Sequence, residues 1–459
     1  MGSKNYPLYL AIPFIVVSVI FILDVSFGIP LNDEWRWTKE LLIPLLNGEL
    51  GFKRYMLGEY SLLSHSHFLA LLFLWIDYHL FDLDFNYFSY IGLIFYVLGY
   101  LLILFYIKAF LQGDLWIDVP AILILSVGYF CITSDFAWLL VMFEYVYFFL
   151  AIALLILLDL FLRQRIRFVM LLAAAFWCLL LGDTIGMAAV FVCVAALFLF
   201  SFFQFSNTKY FAIFVLLITC FFVLQYWLLG KGISLGEHSR LDTLRAILKT
   251  PADMLISFMS IFSQPLVDIT IFRFLVGEKT APILQFGLGV LGFVFIFSIT
   301  IAYFYTKGWK KSWLPMIFIA YGCLSWLLIF VSRYLYFGVA VMDEPRYVRL
   351  FTLIYIGGGI GLLCVNLPSL AKRIYAYTAV FLFIVYLGTL GFKFWQDQYI
   401  EAYFSKAKLE LQKEVIDSVA LANYIGRCAN DYCVDAIEFM RANQLSIFKS
   451  PANNTAPQE

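Results

Sequence analysis

Residues 284–311 read LQFGLGVLGFVFIFSITIAYFYTKGWKK. The stretch 284–305 carries no charge, and Lys307, Lys310 and Lys311 follow at once. A run of that length crosses about 30 Å of hydrocarbon as a helix. Lysine and arginine in short loops mark the cytoplasmic side. Composition extends this reading to the whole chain. Of 459 residues, 63% are hydrophobic, 20% aromatic and 14% charged, and the mean hydropathy is +0.89. A soluble domain carries about 25% charge. A disordered chain needs low hydrophobicity and high net charge, whereas here the net charge is zero. Barrel strands alternate apolar and polar residues, which these runs do not. Nothing in the charge balance points to nucleic acid.

The fold class is therefore an all-α polytopic membrane protein. Apolar stretches occur near 7–27, 61–81, 87–107, 144–162, 167–182, 187–204, 210–229, 284–305, 313–332, 348–367 and 374–392. A shorter one, 118–133, opens at Asp118 and Pro120. The first reads as a retained anchor rather than a cleavable signal peptide. Three basic clusters set the inside: Arg163, Arg165 and Arg167; Lys307, Lys310 and Lys311; Lys372 and Arg373. Lys4 and Lys209 are weaker anchors. Between Lys4 and Arg163 the number of crossings must be even, yet five candidates lie there. The expected odd element is 118–143, short and Pro-led, as a re-entrant piece lining a cavity. The alternative is that 61–81 lies flat as part of the first loop. About eleven crossings result, with the N-terminus cytoplasmic and the C-terminus periplasmic, in a bacterial inner membrane.

Two domains are expected: a membrane body, 1–392, with outside loops 28–60 and 230–283, and a soluble module, 393–459, which holds 16 of the 62 charges. In that module Trp395, Tyr399 and Tyr403 recur every four residues on a polar helix of about 395–424, a packing stripe. Ser450–Glu459 reads as a disordered end. Six cysteines (Cys131, Cys178, Cys193, Cys220, Cys323, Cys364) are scattered in apolar runs as small core residues. Cys428 and Cys433 flank a polar turn and would pair in an oxidising compartment; otherwise they are free thiols. No Cys/His spacing indicates zinc.

The outside loops hold the candidate chemistry. Asp33 and Glu34 follow the first span closely, which sets a carboxylate pair against the membrane surface where it can take a proton from a hydroxyl. Trp35 and Trp37 beside them are interfacial anchors or sugar-stacking rings. A solvated turn with an aromatic belt is the plainer reading. His65 and His67 are too closely spaced to chelate on one helical face; they face phosphate or are ordinary interfacial polar residues. Glu144 opens a long apolar helix, and Asp183 sits between two spans; both are capping groups or functional carboxylates. Arg240, Arg245 and Lys249 recur every four or five residues as a cationic row at the outer leaflet, which suits the phosphate or pyrophosphate of a lipid-linked donor or is a solvated face; an amphipathic stretch, 252–276, follows and is expected in the interface. Arg346 and Arg349 lie three apart on the non-cytoplasmic side, against the charge rule. A bound anion is one reason for such a violation; local pairing with Asp343 and Glu344 is the other.

This pattern resembles the GT-C type membrane glycosyltransferases, among them the bacterial serotype-converting (Gtr-type) O-antigen glucosyltransferases. The likeness rests on Asn32-Asp33-Glu34-Trp35 after the first span, His65-Ser66-His67 entering the second, and Trp138…Phe143-Glu144-Tyr145 before a long helix. It continues with the Gly-containing turn at 182–186, Arg346-Tyr347 entering a late span, and a terminal helix pair closing on Leu445-Ser-Ile-Phe448. The family often has Phe-Gln where this chain has Phe143-Glu144, and Glu-His-Arg where it has Ser64-His65-Ser66-His67. The resemblance implies a polyprenyl-phosphate-linked hexose as donor, transfer to a polysaccharide or lipid-linked glycan such as O-antigen on the periplasmic face, and Asp33 or Glu34 as the first-loop carboxylate. A single displacement then inverts the anomeric centre. Arginine stabilises the leaving phosphate, so neither a metal nor another cofactor is required. The rivals are a flippase of lipid-linked sugars and a non-catalytic scaffold. Transporters show internal repeats and midplane charges; here no repeat is visible and the charges lie at span ends.

Overall fold

The computed structural model describes residues 9–25, 37–56, 68–131, 142–181, 183–203, 208–229, 240–339, 345–413 and 432–448. Among these residues every regular element is helical and there is no strand. In chain order the main helices are α1 (Ala11–Val25), α2 (Phe68–Phe81), α3 (Asn86–Ile107), α4 (Leu115–Tyr129) and α5 (Met142–Leu162). Next come α6 (Phe168–Leu181), α7 (Asp183–Phe203), α8 (Thr208–Leu229), α9 (Arg240–Lys249), α10 (Pro251–Ser263) and α11 (Ile269–Val276). The last are α12 (Ala281–Tyr305), α13 (Leu314–Phe337), α14 (Pro345–Cys364), α15 (Ser369–Leu411) and α16 (Tyr432–Ala442).

Among the described residues six helices are long and apolar enough to cross a membrane: Tyr90–Phe110, Tyr145–Leu162, Ala281–Tyr305, Leu314–Val331, Tyr347–Cys364 and Ser369–Phe392. Each falls on an expected span. The spans expected at 7–27, 61–81, 167–182, 187–204 and 210–229 appear as shorter apolar helices. The chain divides into two compact units. One comprises Met1–Ile20, Tyr96–Ala137 and Tyr147–Phe394; the other comprises Phe21–Phe95, Trp138–Val146 and Trp395–Glu459.

The first unit is built around α14, whose span is 89% buried inside the protein. Small residues let neighbouring backbones approach it. A Cβ on Gly357 would stand 2.6 Å from the Pro315 carbonyl oxygen, and one on Gly359 2.7 Å from that of Ala121. Only glycine fits at these two points, and they hold α13 and α4 against opposite sides of the same turn.

One end of this unit gathers the basic loops. Asp159, fully buried near the end of α5, accepts from Ser312 Oγ at 3.0 Å, Trp313 N at 2.5 Å and Leu314 N at 3.1 Å. The first N–H groups of a helix need an acceptor; Trp313 gives α13 no side-chain cap, Ser312 Oγ accepts from Leu314 N at 3.1 Å, and Asp159 adds its oxygen from another helix. Its second oxygen is held by Arg163 Nε at 2.7 Å and by the Tyr106 hydroxyl. Gln112 Nε2 donates to the carbonyls of Leu363 and Val365, both at 2.9 Å, and so closes the last turn of α14. Asp118, 1% exposed, accepts from the backbone of Gln112 and Gly113. Lys372 pairs with Asp114 at 2.5 Å.

These ties correct the expected topology. They place 108–114 at the same end as Arg163, Lys311 and Lys372, so α4 leaves the basic end and α5 returns to it. Segment 118–143 is therefore not the odd element. In the second unit α2 packs with pieces of the first loop: Tyr55 donates to Leu71 O at 2.6 Å, and Phe52 meets Trp75 edge-on.

The stretch expected in the interface, 252–276, forms α10, a buried turn and α11. Helix α10 starts beside Tyr334 near the end of α13 and descends past Trp326, whose Nε1 donates to Ser257 Oγ at 3.2 Å. Residues 261–269 are all buried. The Thr389 hydroxyl donates to Leu266 O at 2.8 Å, and Tyr355 donates to Phe262 O. The turn at 264–268 is thus irregular backbone enclosed by protein. Asp268 caps α11 through Thr270 N at 2.8 Å.

In the second unit the chain from Trp395 folds with the first loop rather than alone. Lys39 pairs with Asp435 at 2.6 Å, Ser446 N donates to Asp82 O at 2.8 Å, and Tyr78 packs on Phe439. Arg441 donates to the carbonyls of Leu411 and Lys413 and lies over Phe448. Of the helix expected at 395–424, residues 395–411 continue the last span as part of α15, which runs for 43 residues, and 414–424 lie outside the described residues.

Candidate functional site

The opening of α14 reads Pro345-Arg346-Tyr347-Val348-Arg349. Proline fits the first helical position because its missing N–H would be unbonded there anyway. Three residues on, Val348 is buried and fixes the face that enters the core, while Tyr347 and Arg349 are half-buried. The Arg349 Nη1 atom is closed off from solvent. The Thr352 hydroxyl donates back to Arg349 O at 2.6 Å. From Arg349 to Cys364, the last residue of α14, is about 22 Å at 1.5 Å per residue. The far end is the one that Gln112 ties to the basic loops. Arg346 and Arg349 therefore open the central helix at the end opposite Arg163, Lys311 and Lys372.

Two penalties meet here. The helix N-terminus already carries partial positive charge, and lysine and arginine are depleted from outside loops. An anion at such a helix opening would relieve both. Nearby, Tyr334 Oη binds Asp253 Oδ2 at 2.6 Å and Thr250 Oγ1 at 2.5 Å, which fixes the corner between α9 and α10. Arg245 on α9 is exposed.

The remaining candidates are placed as follows. Arg240 opens α9, Asp183 opens α7, Glu144 lies in the first turn of α5, and Cys433 is the second residue of α16; the side chains of these four and of Arg346 lie outside the described set. Asp33, Glu34, Trp35, His65, His67 and Cys428 lie outside the described residues. Trp37 is buried, 7% exposed, and leads into a π turn at Thr38–Leu42, a local widening common at functional sites. Trp37, Glu144 and Cys433 belong to the second unit, and Asp183, Arg240, Arg245, Arg346 and Arg349 to the first. Of the single cysteines, Cys178, Cys193 and Cys364 are buried, Cys131 and Cys323 are intermediate, and Cys220 is exposed.

Sequence reasoning did not single out Asp159 or Asp253. Asp159 had a signal: a carboxylate within an apolar run, four residues before Arg163, the spacing of a helical ion pair. Asp253 had none, because its partner Tyr334 is 81 residues away. No family model matches the chain, and no curated protein or solved structure does either.

Proposed function

We propose that the protein is an inverting glycosyltransferase that moves a hexose from a polyprenyl-phosphate carrier to a glycan acceptor on the periplasmic face of a bacterial inner membrane. The observation that carries this reading is the placement of Arg346 and Arg349 at the start of the central helix, at the end away from the basic loops. With those loops cytoplasmic, the two arginines meet the outer leaflet, where a lipid-linked phosphate presents its charge. As the acceptor oxygen bonds to the anomeric carbon, the carbon–oxygen bond to phosphate breaks and the electron pair leaves with the phosphate. The arginines stabilise that developing charge. Asp33 or Glu34 takes the acceptor proton.

The test is sugar transfer by the purified protein in detergent, from radiolabelled undecaprenyl-phosphate hexose to a polysaccharide. Wild type is compared with Asp33→Asn, Glu34→Gln and Arg349→Gln. Transfer that collapses in one carboxylate variant while the fold is intact names the base. Absence of transfer by wild type, together with movement of labelled lipid across a liposome membrane, overturns the reading in favour of a flippase.

A further inference from the structure

We infer that the start of α6 and the start of α8 together form a seat for a glycerophospholipid with two phosphodiester groups, in the leaflet that meets the basic end of the first unit. Three rings bring the two places together. Phe161 lies in the last turn of α5, Phe168 opens α6, and Tyr210 lies in the first turn of α8. Their centres stand 5.4 Å apart for Phe161 and Phe168, 5.5 Å for Phe161 and Tyr210, and 4.7 Å for Phe168 and Tyr210. Phe214, one turn further along α8, is buried and packs on Phe168. Arg165 and Arg167 stand in the turn between the first two rings. That turn is tight, with Gln164 at a φ of 58° and Arg165 N donating to Leu160 O at 2.8 Å. Lys209 precedes the third ring, with its Nζ 5.0 Å from the ring centre. All three cations are exposed.

The acids of this end are already engaged. From residue 160 to residue 236 the sequence holds one acid, Asp183, and the length of α7, about 30 Å, separates it from the loop before α8. The other acids of the basic-end loops are Asp114, Asp118 and Asp159. Lys372 pairs with the first, and the second accepts from the backbone of Gln112 and Gly113. The third is buried against Arg163, Tyr106 and the start of α13. Beyond the loops the surface turns aliphatic: Val169 and Met170 on α6, and Ile213, Leu216 and Leu217 on α8, are exposed. The charge rule alone puts cations at this end, but it does not gather three of them from two loops around one aromatic centre. Basic pockets between helices at the end of a span suit phospholipid head groups. Two guanidinium groups in one turn match one phosphodiester, and Lys209 on the other loop offers a second point of charge. The exposed aliphatic side chains match acyl tails. A free phosphate would use the cations alone. This inference does not depend on the transferase reading, because it concerns a structural contact with the bilayer.

The experiment is native mass spectrometry of the full-length protein in detergent, titrated with cardiolipin, phosphatidylglycerol, phosphatidylcholine and inorganic phosphate. Wild type is expected to hold cardiolipin in preference to the other two lipids, with no displacement by inorganic phosphate. The triple variant Arg165→Gln/Arg167→Gln/Lys209→Gln is expected to bind cardiolipin about a hundredfold more weakly, on the scale of three cations near an anionic surface. The charge-keeping variant Arg165→Lys/Arg167→Lys/Lys209→Arg retains it. So does Lys307→Gln/Lys310→Gln/Arg373→Gln, which removes as much exposed charge from the same end but leaves the ring centre untouched. Undiminished cardiolipin binding in the first variant overturns the inference. An equal loss in the Lys307, Lys310 and Arg373 variant overturns it too, because diffuse charge then explains the binding. Equal retention of phosphatidylglycerol or phosphatidylcholine, or displacement by inorganic phosphate, overturns it as well.

Discussion

The two ends of the first unit place charge differently. At the basic end several charged groups tie helices together, while Arg165, Arg167, Lys307, Lys310 and Arg373 stay exposed. Asp159 caps α13 while Arg163 and Tyr106 hold it, Asp118 closes the turn before α4, and Lys372 answers Asp114. At the other end, Arg346 and Arg349 open a helix whose dipole repels them, and Arg245 and Lys249 stand exposed. The first arrangement is what a helix bundle needs in order to end its helices. The second sets two arginines at a helix N-terminus, and that placement is what supports the proposed anion site.

The largest break in this comparison comes from Asp159→Ala. It strips the α13 cap and leaves Arg163 facing an empty position, and losing one partner of a buried ion pair costs roughly 3–5 kcal/mol. Thermal unfolding in detergent is expected to show a steep loss, with Asp159→Asn milder because the amide oxygen still accepts. At the opposite end, Arg349→Gln is expected to lower hexose transfer about a hundredfold, as removal of one group stabilising a leaving charge does, with the melting temperature close to wild type. A melting temperature that drops as far as it does for Asp159→Ala would make Arg349 another architectural charge and erase the contrast. Gly359→Val tests the body shared by both ends. Its side chain has to enter the space of the Ala121 carbonyl, at a cost of roughly 1–3 kcal/mol for overpacking, read by the same melts. The smallest effect is that of Asp114. The hydrogen bond from Lys372 holds its carboxyl below the usual carboxylate range. A lowered folded-state value contributes stability that is complete above the unfolded-state value and is lost as pH falls through the folded one. The gap in stability between wild type and Asp114→Asn, under about 1 kcal/mol for a partly exposed pair, is expected to be flat near neutrality and to vanish in acid. The asparagine retains the cap on Trp116 N, so a gap that persists in acid would reassign the effect to the cap.

Much of the bundle was legible in the sequence because its signals are local. Runs of about twenty apolar residues fall on the six long helices, and the basic clusters share one end, as charge placement alone indicates. What misled was tertiary. Nothing near Gln112 says that its amide closes the end of α14, some 250 residues away, yet that tie fixes the side on which 108–114 lies. In α10 the serines imitate the polar face of an interfacial helix. Ser257, Ser260 and Ser263 are instead buried, and their hydroxyls donate to carbonyls three or four residues back, those of Met254, Ile256 and Ser260. Serine satisfied by its own helix carries little polarity outward, so the pattern of residue types overstated how wet that face is. The candidate site was legible in part. Arg346 and Arg349 were visible as a charge-rule violation, but their station at the mouth of the most buried helix follows only from packing.

The Asp159 cap also bears on the order in which the chain is made. The carboxylate and the α13 groups it serves are separated by 153 to 155 residues. At about 5–20 residues per second of synthesis, Asp159 waits roughly 8–30 seconds for them. Tyr106 precedes it and Arg163 follows by a single turn, so both are at hand during that interval. Together they act as a temporary host for a charge stranded in an apolar helix, and the arrival of Ser312–Leu314 converts that holding pattern into the lock that registers the late helices against the early ones.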